Sequence, residues 1–237
     1  MVNDEKGTIK ISVRNLVEFI LREGNLDNRT TRTTTAQAML DGTRMHRKIQ
    51  KRMGENYHAE VPLKLVLEER DYRIVIEGRA DGIIIEREGE DQPTYADSFA
   101  QIALDTERVT IDEIKGIYQR LELLEAPVGV HRAQAMCYAY IYALQHGLKR
   151  IHLQMTYCNL DTEDIRYFRE EFSFETLSLW FAELMEEYKK WADFQYAWRK
   201  LRQASIKKLV FPFAYRDGQR ELAADVYRSI ARKKMLF

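Results

Sequence analysis

Apolar and polar positions along this chain follow two rhythms that alternate. Met39, Gly42, His46, Ile49 and Met53 recur three or four residues apart, which predicts an amphipathic helix over about 35–53. Similar spacing predicts helices over 12–22, where Ser12 is a suitable N-cap, and over 130–146. Between them, β-branched runs alternating with polar residues predict strands at 60–67, 72–77, 83–85 and 109–115, with a hairpin turn or bend near Asp81. A further antiparallel pair, 150–157 and 165–172, is expected around a turn at 159–164. From Ser173 on, Leu177, Trp180, Phe181, Leu184, Tyr188, Trp191 and Trp198 mark a long helix whose aromatic stripe packs as core. The polar stretches 22–35, with Asn25, Asp27 and Asn28 as breakers, and 87–107, with Pro93, read as surface loops. This order predicts an α/β fold, a central mixed β-sheet flanked by helices.

Composition narrows the class. With 237 residues, 45% of them hydrophobic, the chain can bury one sizeable core, and no apolar run reaches the length of a membrane span. The opening MVNDEKGTIK has no apolar signal region, so a soluble cytoplasmic protein with no membrane association is expected. Two widely separated cysteines, Cys137 and Cys158, match no zinc pattern, and Cys137 reads as a small buried hydrophobe. The net charge of zero hides an asymmetry. Arg199 to Phe237 holds eleven Lys and Arg against three Asp and Glu, a net of +8 that the preceding residues offset.

The candidate chemistry lies in two acidic signals, Asp81 within Gly78-Arg79-Ala80-Asp81-Gly82 and Glu113-Ile114-Lys115 at the end of an apolar run. Two carboxylates from separate strands suit Mg²⁺ or Mn²⁺, and a neighbouring ammonium suits an attacking water. Alternation along the strand puts Glu113 and Lys115 on one face and Asp112 and Ile114 on the other. Asp112 could replace Glu113 as ligand only if the strand bulged, so Glu113 is the expected acid.

Asp81, Glu113-x-Lys115, an upstream helical His46 and a downstream Gln134-x-x-x-Tyr138 together resemble the PD-(D/E)XK nuclease superfamily in its RecB-like branch. Ala80 stands where a proline is common in that motif. The resemblance spans about the first 200 residues and implies a restriction-endonuclease-like core. It implies that His46, Asp81, Glu113 and the Ile114 backbone carbonyl hold one or two Mg²⁺ or Mn²⁺ ions, with Gly42 letting the His46 helix approach the sheet. Lys115 would orient water and Gln134 would steady the lysine or a phosphate. Tyr138 would contact nucleic acid, joined by a basic strip of Arg79, Arg132, Arg44 and Arg47. Glu60 would be an accessory acid. Each also has a plainer reading: His46 as a packed core histidine, Glu60 as an edge-strand charge, Tyr138 as core, and the arginines as solvated surface. Some relatives carry a four-cysteine iron–sulfur cluster, which two cysteines cannot build. The implied activity is a metal-dependent DNA exonuclease acting on single strands or free ends in repair or recombination. The alternatives are an inactive binding module of the same fold and a restriction-type endonuclease.

A second resemblance begins at Phe211-Pro212-Phe213-Ala214-Tyr215-Arg216-Asp217-Gly218-Gln219, which looks like the lead-in to an XPD/DinG-type helicase motor. It implies a nuclease domain over 1–205, a linker and lead-in over 206–237, and a motor domain in cis in a longer protein. No G-x-x-x-x-G-K-[ST] occurs, so no nucleotide is expected to bind this chain. The plainer reading of 207–237 is a basic tail helix.

Overall fold

A computed structural model describes residues 7–23, 35–87, 107–210 and 212–235. The breakers at Asn25, Asp27 and Asn28, the loop with Pro93, and Phe211 lie outside the described residues. Among those described, six strands form one sheet: β1 (Gly7–Ser12), β2 (Tyr57–Glu68), β3 (Tyr72–Arg87), β4 (Glu107–Ile117), β5 (Arg150–Asn159) and β6 (Ile165–Ser173). The α-helices are α1 (Val13–Leu21), α2 (Thr35–Gln50), α3 (Gly129–His146), α4 (Phe174–Ile206) and α5 (Gln219–Arg232). Strand order is β1-β3-β4-β5-β6, with β2 also paired to β3. The pairs β1–β3 and β4–β5 are parallel and the other three antiparallel, so the sheet is mixed.

Helices cover both faces of this sheet. Ile111 and Val109 of β4 and Leu153, Met155 and Tyr157 of β5 join one large core with α1, α3 and the first part of α4. Ile114 and Cys158 turn the other way and meet Met45 and Ile49 of α2 in a small second cluster. Period-two alternation thus sends neighbouring residues of β4 to different helices. Ser12 caps α1 as the sequence suggests, its Oγ accepting from the Asn15 N–H at 3.1 Å. Cys137 is fully buried in the large core.

Several expectations are corrected. Asp81 is not at a turn, because 72–87 is one continuous strand. The long edge strand β2 pairs along it from Arg73 to Ile84 and holds both halves in line. The two glycines of this strand admit aromatic rings: a Cβ at Gly78 would crowd the Tyr138 ring, and one at Gly82 would overlap the Tyr57 phenol. Pro62 sits within β2, tolerated because among the described residues β2 has a partner only on the β3 side. Strand β1 was unforeseen. Its six residues carry only Ile9 and Ile11 as an apolar pair, and pairing with β3 supplies what propensity does not.

Helix α2 ends at Gln50 rather than Met53, and the space beside Gly42 is open, so that glycine is not needed for close packing. On α4, Leu177, Phe181, Leu184 and Tyr188 are buried, but Trp191 and Trp198 are half-exposed and leave the expected stripe. The chain divides into two compact units, Met1–Tyr196 and Ala197–Phe237, so the border falls inside α4 and ahead of position 205. Among the described residues no helix is long and apolar enough to cross a membrane.

Candidate functional site

Strand β3 has two successive neighbours along one edge. β1 pairs with it up to Ser12 opposite Glu77, and β4 pairs with it from Asp112 opposite Gly82 onward. Beyond Asp112 the residues Glu113 to Ile117 pair only with β5. The sheet therefore forks, and Asp81 stands at the fork with Glu113, Ile114 and Lys115 opposite it. Backbone groups at such a split lack a ladder partner and are free to meet side chains.

Asp81 fills that need. Its Oδ2 accepts from the Ile114 N–H at 2.8 Å, while its Oδ1 lies 3.5 Å from Nδ1 of His46 on α2. In a strand the carbonyl of a residue projects to the same edge as its own N–H, so the Ile114 carbonyl opens toward this gap as well. One turn along α2 from His46, Gln50 donates to the Asp81 carbonyl at 2.9 Å and to Glu60 Oε1 at 3.1 Å. Met45 and Ile49 anchor the helix, leaving His46 and Gln50 on the adjoining stripe.

A pleat reversal accompanies the fork. Ile74, Ile76 and Ala80 of β3 face the large core, and so does Ile83, a change from even to odd positions. In β2 the register brackets Glu60 opposite Asp81, and Glu60 holds φ at 55°, in the left-handed region rarely used by a non-glycine residue. Tyr57, beyond this point, consequently faces the α2 side and donates to Asp112 Oδ2 at 3.0 Å.

Glu113 is the unusual group. It is fully buried, and neither carboxylate oxygen has a hydrogen-bond partner. The Lys115 ammonium stands 2.6 Å from Oε1 but off the hydrogen-bonding angles, so it offers charge without a well-formed bond. Burial pushes the Glu113 carboxyl up to about 8, against the pull of Lys115 and with a further push from Asp81. Lys115 donates to Gln134 Oε1 on α3 at 3.3 Å. The neighbouring Asp112 is equally buried but satisfied, accepting from Tyr57, from Thr156 Oγ1 at 2.5 Å and from Gln154 Nε2 at 3.3 Å. Burial still raises its pKa, those donors opposing the rise. The contrast separates the two acids that the sequence left adjacent: Asp112 is a sheet-locking group, and Glu113 is the one left wanting a partner.

No family model and no curated protein matches this chain. A solved structure described as "Crystal structure of SSO0001" is similar over 78% of each chain, with 15% identity and a TM-score of 0.42. A likeness that slight assigns no function.

The structure therefore brings His46, Asp81, Glu113, Ile114, Lys115 and Gln134 to one place. Among the described residues it assembles no ready-made cluster of three or more His, Cys, Asp or Glu side chains for a metal ion. Other expected residues fall elsewhere. Tyr138 is 3% exposed, its ring laid over Gly78, so it supports the site from beneath and cannot contact a strand. Burial raises its pKa, the Glu113 charge adding to that. Arg132 is committed to Glu170 through two bonds of 2.8 and 2.7 Å and lies over Phe172. Arg79 pairs with Glu60 at 3.2 Å near the fork, while Arg44 and Arg47 lie exposed on α2. Glu60 is exposed and held by Gln50 and Arg79, beside the site rather than in it.

Sequence reasoning missed Gln50, Tyr57, Gln154 and Thr156. Gln50 had a signal, its i+4 spacing from His46. The other three had none, because their roles follow from sheet register.

Proposed function

We propose that this chain is a metal-dependent nuclease of the PD-(D/E)XK type, built on a restriction-endonuclease-like core and hydrolysing phosphodiester bonds in DNA. The observation that carries the reading is the fully buried Glu113 carboxylate, whose oxygens make no well-formed hydrogen bond, with the Lys115 ammonium 2.6 Å from Oε1 and Asp81 close enough to act on its charge. Such a group is strongly destabilising as it stands, and a divalent cation is what its chemistry calls for. The donor set fits one: carboxylate oxygens from Asp81 and Glu113, the His46 imidazole, and the Ile114 carbonyl at the forked edge.

When bound, a Mg²⁺ or Mn²⁺ ion supplies Lewis acidity toward the phosphate and acidifies a water. The chain's own groups do the rest. Gln134 accepts from the Lys115 ammonium and holds it at the fork, where it orients the attacking water and balances charge on the phosphate. Helix α2 presents His46, and Gln50 pins the Asp81 backbone so that its carboxylate keeps one bearing. End processing, with a helicase motor in cis, is the role that the sequence resemblances favour.

The test uses Mn²⁺ with labelled single-stranded and duplex DNA. Asp81→Ala, Glu113→Ala and Lys115→Ala should each lower the cleavage rate by roughly 100-fold or more while circular dichroism stays native. Folded variants that cut at the wild-type rate would refute the proposal. The rival reading is a non-catalytic module of the same fold. Calorimetric titration separates the two, because such a module takes up no Mn²⁺.

A further inference from the structure

Tyr157 stands beside Lys115 in the register of β5 on β4, and alternation puts both on the face that carries Glu113. The Tyr157 side chain is fully buried, so its hydroxyl proton needs an acceptor inside the protein. The phenol oxygen accepts from the Val128 N–H at 2.9 Å and lies 3.1 Å from Nδ1 of His131, in the first turn of α3. It has no other hydrogen-bond partner among the described residues. If Nδ1 carried the ring proton, the Tyr157 proton would be sealed in the core with nothing to accept it. The phenol therefore donates to Nδ1, and the imidazole proton sits on Nε2.

Nε2 lies on the far side of the ring from Tyr157. It bonds to no described residue and is not closed off from solvent, so an N–H donor stands open there. Burial pushes the imidazole down to about 4, helped by the charges of Lys115 on β4 and Arg14 on α1 and opposed by Glu18 on α1. Glu18 is itself taken up by Arg14 at 2.7 Å. The ring is thus neutral near pH 7 and adds a donor without adding charge. One turn along α3, Gln134 accepts from the same Lys115 ammonium that acts on His131. An open neutral N–H close to an ammonium and a guanidinium complements an anionic oxygen, and the phosphates of a nucleic-acid backbone are contacted by donors of this kind. A lone pair at the same place would repel such an oxygen, and the Tyr157 bond removes that alternative. We infer that His131 is a further substrate-binding residue of the site, its Nε2–H donating to a phosphate oxygen of the bound strand near Lys115. The choice of a DNA strand as the ligand rests on the nuclease reading.

The experiment uses the full chain in EDTA, so that no cleavage intervenes. Nitrogen-15 NMR of the histidine-labelled protein at pH 7, with His131 assigned through His131→Gln, should show a neutral ring protonated at Nε2. Adding a twenty-nucleotide oligothymidylate should shift that Nε2 signal, a response that a purely structural histidine does not give. Fluorescence anisotropy with the same strand, labelled, across a salt series measures the contribution to binding. His131→Ala should bind roughly tenfold more weakly, as expected for losing a hydrogen bond to a charged group, with the slope of log affinity against log salt unchanged, because a neutral donor releases no counterion. Lys115→Ala should instead lose about 0.7 from that slope. His131→Gln, whose amide keeps an N–H donor, should recover most of the affinity. A ring protonated at Nδ1, an Nε2 signal indifferent to the strand, or a folded His131→Ala of wild-type affinity would each overturn the inference. So would a wild type that binds no oligonucleotide. Strand binding through His131 in a protein that cuts nothing with Mn²⁺ would sink the nuclease reading alone, whereas cleavage with a silent His131 would sink only this inference.

Discussion

Glu113 concentrates the chemistry of this chain in one side chain. Its carboxyl rises from an ordinary 4.5 to about 8 because burial disfavours the charged form more than Lys115 favours it. The folded protein therefore holds a proton that the unfolded chain releases, and metal-free stability should fall as pH rises between about 4.5 and 8, at about 1.4 kcal/mol per unit. Below that window the penalty is absent, and above it the penalty is complete. Glu113→Gln should consequently raise the melting temperature in EDTA at pH 8 and leave it unchanged at pH 4. With Mn²⁺ added the ranking should invert, since binding stabilises the wild type and not the variant. Thermal melts at both pH values, with and without Mn²⁺, check this, and a variant less stable than wild type at pH 8 in EDTA contradicts it. The sequence brought this residue within reach, because Glu-x-Lys on a strand puts both groups on one face. The same alternation preferred Glu113 to Asp112, which could have taken its place only if the strand bulged. Only the register of β5, which sets Gln154 and Thr156 beside Asp112, shows which acid is satisfied.

At the level of elements, the decisive feature is the paired distortion of β2 and β3. Glu60 with φ at 55° turns the pleat of β2 opposite Asp81, and the alternation of β3 reverses at the same place. The reversal lets Tyr57 cross to the α2 face and Ile83 return to the core, and it leaves Asp81 aimed at the departing strand β4. A left-handed backbone suits glycine and is poorly tolerated by β-branched residues. Glu60→Gly should therefore leave stability within about 1 kcal/mol of wild type, whereas Glu60→Val should lose roughly 1–3 kcal/mol and disturb cleavage. Urea titrations of the two variants decide the matter, and equal destabilisation would argue against a strained Glu60. Helices α1, α2 and α3 were legible to within a few residues, because each carries a cap or a clean apolar stripe. The unbroken β3 was not, since Gly78 and Gly82 carry the local signature of a bend. Tyr138 and Tyr57, brought in from distant segments, are what those glycines accommodate.

Over the whole molecule, core and charge are distributed differently. The large core draws on α1, the sheet, α3 and α4 as far as Ala192, and beyond that point no described residue is buried. Positive charge follows the reverse pattern, with the net +8 gathered from Arg199 onward. A chain ended after Ile206 should therefore keep cooperative unfolding, its melting temperature within about 4 °C of the full chain, a shift worth roughly 1 kcal/mol at this size. Calorimetry of that truncation checks it, and a broad or strongly lowered transition would show that the tail contributes to the core.

The amino-acid order by itself determined the α/β class, the helices with their caps, the two acids with their lysine, and the charge asymmetry. These follow from local periodicity and composition, which each segment carries alone. Tertiary structure decided the fork of β4 from β3, the partners that satisfy Asp112, the burial of Tyr138 and the place of Gln50. Those depend on which strand pairs with which and in what register, and such pairing is settled by the simultaneous burial of segments far apart in the chain.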